Sequence, residues 1–436
     1  MRTLTSELAK AVGKSVMIEG WLHKKRLLGG LNFISLRDRG GLVQIVVEQK
    51  DEVEKLRSLQ IGTVLKIEGK VVKEERAQGG VEIHDPRIEV LVPVTAEPLI
   101  EIDKPISHKP EHLDTLFEHR ALSLRNLQEQ AIFKARSHIN QLLREYLTNN
   151  DFVEIQTPKL VAGSAEGGAE VFKLDYFGQE ATLAQSPQLY KQMMVGVFER
   201  VFEIGQAYRA EPSATTRHMS EVTMLDVEVG FIDSYKDVLD LAQDLVRDTL
   251  EKLYKEQAEL LKKLNSPELK LTREFPRYTV AQVHEMYSKA NNENTVGEKD
   301  LRPDEERWIC EYAKKNDGCE AVFVTDLPKE AMKFYHMENP ENDKTALSSD
   351  LLFRGVEIAT VPQREHRHEK LVEQITAAGI DPKHPGFRHY LSAFEFGLPP
   401  HGGFGFGIDR FVQLTLGLKN VKEATLFPRD INRLTP

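Results

Sequence analysis

The chain has 436 residues, of which 40% are hydrophobic and 29% are charged, and its formal net charge is −10 at pH 7. This composition is typical of a globular protein and excludes a fibrous or disordered molecule, while the length predicts two to three domains. No stretch approaches the roughly 18 consecutive apolar residues of a membrane span, and the N-terminus lacks the apolar core of a signal peptide. We therefore expect a cytoplasmic protein without a membrane partner.

The first hundred residues predict a small β-barrel. Short β-branched runs at 16–18, 33–36 and 42–47 are separated by glycine-containing turn signals. About five short strands with few helices favour an OB-type barrel over residues 1–97, although an SH3-like barrel or a small sandwich would give nearly the same pattern. Residues 1–50 carry nine Lys and Arg against four Asp and Glu, which indicates either a solvated rim or a phosphate-contacting face.

Prolines mark the next segment as a linker or hinge. Pro98, Pro105 and Pro110 all fall within residues 98–123. Hydrophobic residues then recur at helical spacing as far as residue 149. We therefore place a second domain at 124–436.

The second domain combines long helices with strands. The amphipathic pattern of 235–264 predicts one long surface helix inside a helical insertion at about 233–317, and a last helix begins near Asp409. Because the helices and strands follow no regular βαβ order, the predicted class is α+β. Strands are predicted at 152–155, 321–324 and 351–358.

Charged residues occur at strand spacing in the middle of this domain. Arg209 and Glu211 precede a basic loop at 212–220, and Asp226 and Glu228 follow it. Side chains two residues apart on a strand lie on one face, about 7 Å from each other. Two antiparallel strands with an arginine, several carboxylates and a basic loop would suit a nucleotide and its metal ion.

Glycine alternates with other residues near the C-terminus, from 403 to 407. One face of such a strand has no side chains, so a flat ligand or another backbone can approach it closely. Taken alone, this pattern is more often a bulged strand packed under a helix.

Three motifs in this order resemble those of the class II aminoacyl-tRNA synthetases, most closely the aspartyl-tRNA synthetases of archaeal type. They are a helix and strand ending in proline at 152–158, an Arg-x-Glu strand with its loop at 208–228, and a Gly-x-Gly-x-Gly-x-x-Arg segment at 403–410. The stretches 184–191 and 427–436 are typical of the aspartate branch. The resemblance implies an antiparallel-sheet catalytic domain flanked by helices, an N-terminal OB-fold that binds the anticodon, and a homodimer.

The resemblance also implies where ATP and magnesium bind. Arg209 would hold the α-phosphate and the substrate carboxylate, and Arg410 would reach the γ-phosphate. Mg²⁺ would be held by Glu357 and Asp350, with Thr360 as a further possible ligand. The implied catalytic residues are Arg209, Glu357 and Arg410. The implied ATP-binding residues are Arg209, Glu211, Arg217, His218, Met219, Glu357, Gly407, Ile408, Asp409 and Arg410.

Aspartate recognition is implied chiefly by two cations, Lys191 and Arg364, which in this family bind the side-chain carboxylate of the substrate. Asparagine would leave them unpaired, and relatives that activate asparagine generally lack this lysine. Asp226 would receive the substrate ammonium, and Glu166 belongs to a loop expected to close over it. The implied aspartate-binding residues are Glu166, Gln188, Lys191, Arg209, Asp226, Thr360 and Arg364.

In the barrel, the resemblance implies that Phe33 stacks on an anticodon base and that Gln44 reads one. Strict enzymes of this type tend to carry Trp at the position of His23 and Lys near Gln78. These departures indicate relaxed reading of the last anticodon base. The implied anticodon residues are His23, Arg26, Phe33, Gln44 and Gln78.

The sequence therefore predicts an ATP- and Mg²⁺-dependent enzyme that attaches L-aspartate to tRNA(Asp). We expect it to be non-discriminating, so that it also charges tRNA(Asn) and leaves a tRNA-dependent amidotransferase to convert the product. The alternatives are a strictly tRNA(Asp)-specific enzyme, an asparaginyl-tRNA synthetase, and a synthetase-like binding protein that kept the fold without the chemistry.

Overall fold

The computed structural model describes residues 1–27, 29, 32–162, 170–210, 212 and 215–436. The chain forms two compact units, Met1–Gln130 with Pro436 and Ala131–Thr435. Within the described ranges, no helix has the length and apolar character needed to cross a membrane.

The first unit contains a closed five-stranded barrel, in the order β1-β2-β3-β5-β4. Ile18, Ile45 and Ile67 are completely buried in its interior, as expected where apolar side chains alternate with polar ones along each strand. The barrel confirms the predicted OB-fold. Its elements are β1 (Ser15–Leu27), β2 (Asn32–Asp38), β3 (Gly41–Val47), α1 (Lys50–Ser58), β4 (Val64–Lys73) and β5 (Val81–Val92).

The segment predicted as a linker contains two helices, α2 (Pro110–Glu118) and α3 (Arg120–Ser123). Pro110 is the first residue of α2, a position where its missing N–H costs nothing. Leu116 and Phe117 are buried in a small apolar cluster of their own. Pro110 therefore marks the start of a helix, although the sequence analysis interpreted it as part of a linker.

The second unit is built on an eight-stranded mixed sheet in the order β12-β13-β14-β15-β16-β11-β10-β6, with a separate three-stranded sheet β7-β9-β8. Only its outermost pairs, β12 with β13 and β10 with β6, are parallel. The elements are α4 (Leu127–Asn149), β6 (Val153–Glu154), β7 (Leu160–Val161), β8 (Lys173–Tyr176), β9 (Gln179–Leu183), α5 (Gln188–Phe198), β10 (Arg200–Tyr208), β11 (Glu221–Gly230), α6 (Tyr235–Glu256), α7 (Ala258–Lys263), β12 (Arg277–Thr279), α8 (Val280–Asn291), α9 (Pro303–Asn316), β13 (Ala321–Thr325), β14 (Ser348–Phe353), β15 (Val356–Pro362), α10 (His368–Ala377), α11 (Arg388–Glu395), β16 (His401–Gly407) and α12 (Ile408–Leu416).

Two sequence predictions of single elements were wrong. The helix predicted over 235–264 is divided at Gln257 into α6 and α7. The strand predicted over 351–358 is a hairpin, β14 and β15, because the chain turns at Arg354 and Gly355, which both have positive φ. The apolar residues on both sides of Arg354 and Gly355 gave the sequence the pattern of one strand, because both strands of the hairpin are largely buried.

The glycine strand β16 fits between β11 and β15 because four of its seven residues are glycine. A Cβ atom on Gly403 would lie 2.1 Å from the backbone oxygen of Val227 and 2.4 Å from a carboxylate oxygen of Glu228. A Cβ on Gly402 would lie 2.6 Å from Val238. These glycines therefore serve the close approach of another backbone, as one of the sequence interpretations allowed.

We expect Gly403→Ala to lower the free energy of unfolding of the second unit by about 1 to 3 kcal/mol, because the added methyl group must displace backbone. Trp21 and Trp308 lie in different units, so urea unfolding followed by fluorescence in a Trp21→Phe background reports the second unit. Gly196→Ala in α5 is the control, since its Cβ would meet only Leu398, at 3.8 Å. Equal stability of the two variants would contradict the packing role of Gly403.

Candidate active site

A cavity of about 440 Å³ lies over β11, β15 and β16 in the second unit. It brings together residues that are far apart in the sequence, and most of the residues predicted for the site line it. Two others, Lys191 and Ile408, are buried. Glu166 and Glu211 lie outside the described residues. The predicted residues along the cavity are Gln188, Arg209, Arg217, His218, Met219, Asp226, Asp350, Glu357, Thr360, Arg364, Gly407, Asp409 and Arg410.

Four buried charges form the first part of the site. The Lys191 ammonium on α5 donates to the Asp226 carboxylate at 2.9 Å and lies 3.4 Å from that of Glu228. The Arg364 guanidinium, which follows β15, donates to both oxygens of Glu228 at 2.8 and 3.2 Å. All four side chains are at most 3% exposed. Two cations therefore face two carboxylates, and the group is neutral as a whole.

Opposite charges offset the cost of burying Glu228. Burial alone would raise the pKa of Glu228, but the neighbouring cations Arg364 and Lys191 hold it below its ordinary value. Glu228 was not among the predicted binding residues, although its spacing from Asp226 put it on the same face. The structure adds it as the bidentate partner of Arg364.

A buried chain of amides orients Gln188 beside these charges. The Gln188 amide donates to Gln192 Oε1 at 2.9 Å, and the Tyr390 hydroxyl donates to the same oxygen at 3.0 Å. Gln192 in turn contacts His401 Nε2 at 2.9 Å. Burial lowers the pKa of His401 to about 4, so its ring is neutral and can accept this hydrogen bond at neutral pH. Nothing in the local sequence signalled this chain.

Two carboxyl groups meet at the other part of the cavity. Glu357 accepts from the Thr360 hydroxyl at 2.9 Å and from the Arg410 guanidinium at 3.4 Å. Burial, followed by the nearby charge of Glu357, raises the pKa of Asp350 well above its ordinary value. A bound cation would relieve this repulsion, and the donors are the hard oxygens that Mg²⁺ prefers.

The loop before β11 contributes cations and a backbone contact. Arg209 directly follows β10, and its N–H donates to the backbone oxygen of Ser220 at 2.9 Å. Arg217 donates to Glu306 of α9 at 2.7 Å. His218 contacts the Thr215 hydroxyl at 2.6 Å.

The carboxylate of Asp409, a predicted ATP-binding residue, is engaged by other groups of the protein. The side chain is 3% exposed and accepts from the Arg136 guanidinium of α4 at 2.5 Å and from the backbone N–H of Thr223 at 2.7 Å. Ile408 is completely buried in the core. Both residues lie in the first turn of α12, whose geometry directs their side chains into the protein.

The predicted anticodon residues occupy different environments in the barrel. Arg26 of β1 pairs with Phe33 of β2, and Gln44 of β3 donates to Glu82 at 2.5 Å. The loop residue Gln78 is exposed. Arg26 is exposed as well, and Phe33 and Gln44 are half-buried, so all four side chains keep solvent-accessible surface.

His23, another predicted anticodon residue, is largely buried in the barrel. It lies at the irregularity of β1 between Leu22 and Lys24 and is only 7% exposed. Burial, with the charges of Arg37 and Lys24, lowers the pKa of its ring. The extra residue at this bulge turns the side chain inward, which the strand alternation of the sequence did not predict.

Comparison with known families agrees with both units. The sequence model described as tRNA synthetases class II (D, K and N) matches residues 112–431. The chain belongs to this family. A second model, the OB-fold nucleic acid binding domain, matches residues 16–91 of the synthetase chain.

Similar synthetases include several from archaea and bacteria. The aspartate–tRNA(Asp/Asn) ligase of Thermus thermophilus is 41% identical over 100% of both chains. That of Methanopyrus kandleri is 40% identical over 97% of this chain and 96% of its own. The aspartate–tRNA(Asp) ligase of Pyrococcus horikoshii is 39% identical over 97% of both chains.

Among solved structures, asparaginyl-tRNA synthetase of Pyrococcus horikoshii complexed with asparaginyl-adenylate superposes with a TM-score of 0.91 at 32% identity, covering 100% of both chains. A putative aspartyl-tRNA synthetase of Leishmania major Friedlin also gives 0.91, at 29% identity, over 100% of this chain and 95% of its own. The shared fold therefore does not distinguish the two amino acids.

We expect Arg364→Met to lower the free energy of unfolding of the synthetase's second unit by about 3 to 5 kcal/mol at pH 7, because Glu228 would stay buried without its bidentate partner and with Lys191 as its remaining cation. Glu228 has a lowered pKa, so its paired charge contributes stability above the unfolded glutamate pKa of about 4.3. Loss of Arg364 raises that pKa, and the deficit should shrink as the pH falls towards this range.

The measurement is urea unfolding between pH 4.5 and 8 in the Trp21→Phe background, with the fluorescence of Trp308 as the signal. The exposed Arg388 is the matched control, and Arg388→Met should change stability by less than about 0.5 kcal/mol. A deficit that is independent of pH would show that Glu228 is not the residue left uncompensated.

Proposed function

We propose that the chain is an aspartate–tRNA ligase, which activates L-aspartate with ATP and transfers it to tRNA. The observation that carries this proposal is the buried group of Lys191, Asp226, Glu228 and Arg364 beside the cavity. The relatives that match over the full length are named as ligases of aspartate, which supports aspartate as the substrate.

The buried charges complement the charges of aspartate. Asp226 and the oriented oxygen of Gln188 would receive the substrate ammonium, while Lys191 and Arg364 would bind the side-chain carboxylate. Thr360 lines the same cavity and would contribute a hydroxyl. Asparagine has no side-chain charge, so it would forgo the charge-assisted contacts to Lys191 and Arg364 that aspartate makes.

The reaction needs positioning and charge stabilisation rather than a protein nucleophile. The aspartate α-carboxylate attacks the α-phosphorus of ATP, and pyrophosphate leaves. A ribose hydroxyl of the terminal tRNA adenosine then attacks the carbonyl carbon of the aspartyl-adenylate, and AMP leaves. We propose that Arg209 stabilises the α-phosphate through both steps, that Arg217 and Arg410 hold the distal phosphates, and that Glu211 and His218 contact the base.

Glu357 and Asp350 would hold Mg²⁺, with Thr360 as a further oxygen donor. The bound cation would neutralise phosphate charge as pyrophosphate departs. In the described parts of the chain, no cluster of three or more His, Cys, Asp or Glu residues is arranged to hold a metal. Phosphate and water oxygens would therefore complete the coordination, as is usual for Mg²⁺.

Lys191→Ala should lower kcat/KM for aspartate by a factor of at least about 100, because the substrate carboxylate would lose a buried charged partner. The assay is aspartate-dependent exchange of pyrophosphate into ATP, run in parallel with asparagine. Lys173→Ala removes an exposed lysine of the same unit and should change neither rate.

Two outcomes would oppose the proposal. An asparagine-dependent exchange that exceeds the aspartate-dependent one would identify an asparagine-activating enzyme. No exchange by the folded wild-type protein with either amino acid would indicate a synthetase-like binding protein. Trp308 fluorescence checks that each variant is folded.

We also propose that the enzyme is non-discriminating and charges tRNA(Asp) and tRNA(Asn) in the cytoplasm as a homodimer. Relatives with both specificities are about equally similar to the chain, so identity does not decide between them. The absence of Trp at position 23 and the exposed Gln78 support relaxed reading. Asp-tRNA(Asn) would then require an amidotransferase as a partner.

Transcripts of tRNA(Asp) and tRNA(Asn) should be aspartylated at comparable rates by the purified enzyme. Phe33→Ala should weaken the use of both by a similar factor, about tenfold, because stacking on an aromatic ring does not distinguish bases. Charging of tRNA(Asp) alone would make this a strict enzyme. A Phe33→Ala effect on one tRNA only would contradict its role as a general stacking platform.

A further inference from the structure

Glu306, a residue outside the sequence-predicted site, holds Arg217 at the wall of the cavity. Arg217 Nη1 donates to the Glu306 carboxylate at 2.7 Å, and Nη2 donates to the backbone oxygen of Gly355 at 3.2 Å. The two side chains are 21% and 16% exposed. Arg217 therefore has one acceptor on helix α9 and another on the turn between β14 and β15.

The two elements that carry these acceptors, helix α9 and the turn between β14 and β15, are in contact in the second unit. Gly355 has a φ of +84°, and a Cβ placed on it would lie 3.0 Å from the Arg307 side chain of α9. Pro303 starts α9 and Glu306 lies in its first turn. The helix thus packs directly against the turn, and the two acceptors lie on neighbouring elements that are in contact.

The two contacts leave part of the guanidinium available. An arginine has five N–H donors in a planar fork. Within the part of the chain that the structure describes, no contact engages Nε of Arg217. Arg217 lines the cavity together with Glu357 and Arg410. It can therefore keep both anchors while it donates to an anionic ligand.

We propose that Glu306 is a positioning residue for nucleotide binding, which pre-orients Arg217 towards the distal phosphates of ATP. The inference rests on the proposed function and extends it to the helical insertion. A free arginine on a loop would lose side-chain freedom each time ATP bound, whereas an anchored one has lost it already. The carboxylate of Glu306 acts through Arg217 and does not itself contact the phosphates.

Glu306→Ala should raise KM for ATP in aspartate-dependent pyrophosphate exchange by about tenfold, which corresponds to loss of a charge-assisted hydrogen bond. KM for aspartate should not change, since Lys191 and Arg364 are untouched. Glu306→Gln keeps an oxygen acceptor for Arg217 and should restore KM for ATP to within about threefold of wild type. A second, activity-independent readout is the dissociation constant of ATP by equilibrium dialysis.

A double-mutant cycle tests whether Glu306 acts through its partner. In an Arg217→Ala background, Glu306→Ala should have no further effect on KM for ATP. Glu311→Ala is the matched control, because Glu311 is an exposed carboxylate on the same helix. Its kinetics should equal those of wild type.

The inference and the proposed function fail differently. If the wild-type protein does not support exchange, the proposed function fails, whereas the dialysis experiment still tests the contact. If exchange occurs but Glu306→Ala leaves ATP binding unchanged, or tightens it, Glu306 does not pre-orient Arg217. Full additivity with Arg217→Ala would also overturn the inference.

Discussion

The buried ion group of Lys191, Asp226, Glu228 and Arg364 constrains both the fold and the site. Taking an isolated charge out of water costs several kcal/mol, so each member persists only while the others remain in contact. The four side chains come from α5, from β11 and from the segment after β15. The contacts that pack these elements together are therefore the same contacts that form the proposed amino-acid pocket.

The glycine strand makes this arrangement possible. Lys191 Nζ also donates to the backbone oxygen of Phe404 at 3.1 Å, which requires β16 to lie directly beside the ion group. Any side chain at Gly403 would enter the space of Val227 and of the Glu228 carboxylate. At Gly405 the space is less crowded, since a Cβ there would meet Asp226 at 3.5 Å. The glycines thus serve packing at one position and an open cavity at the other.

The sequence predicted the parts of the site that depend on local spacing. Asp226 and Glu228 share a face because strands alternate, and the barrel followed from short strands and turns. The partner of Glu228 could not be derived in this way, because Arg364 is 136 residues away and meets it only through sheet order. The inward turn of His23 also depends on a bulge that composition does not reveal.

The two ends of the cavity differ in the balance of positive and negative side chains, and this difference determines which end is balanced before a substrate binds. Cations and carboxylates cancel at the end proposed to bind the amino acid. At the end proposed to bind ATP, burial raises the pKa of Asp300, Glu306 and Asp350, and the charge of Glu357 raises all three further. Arg209, Arg217 and Arg410 line the same cavity, so a polyphosphate would meet cations together with these carboxylates, and a metal ion bound with it would offset the carboxylates. We therefore expect the buried ion group to be formed before binding, whereas the carboxylates at the other end are balanced fully only when a cation binds with ATP.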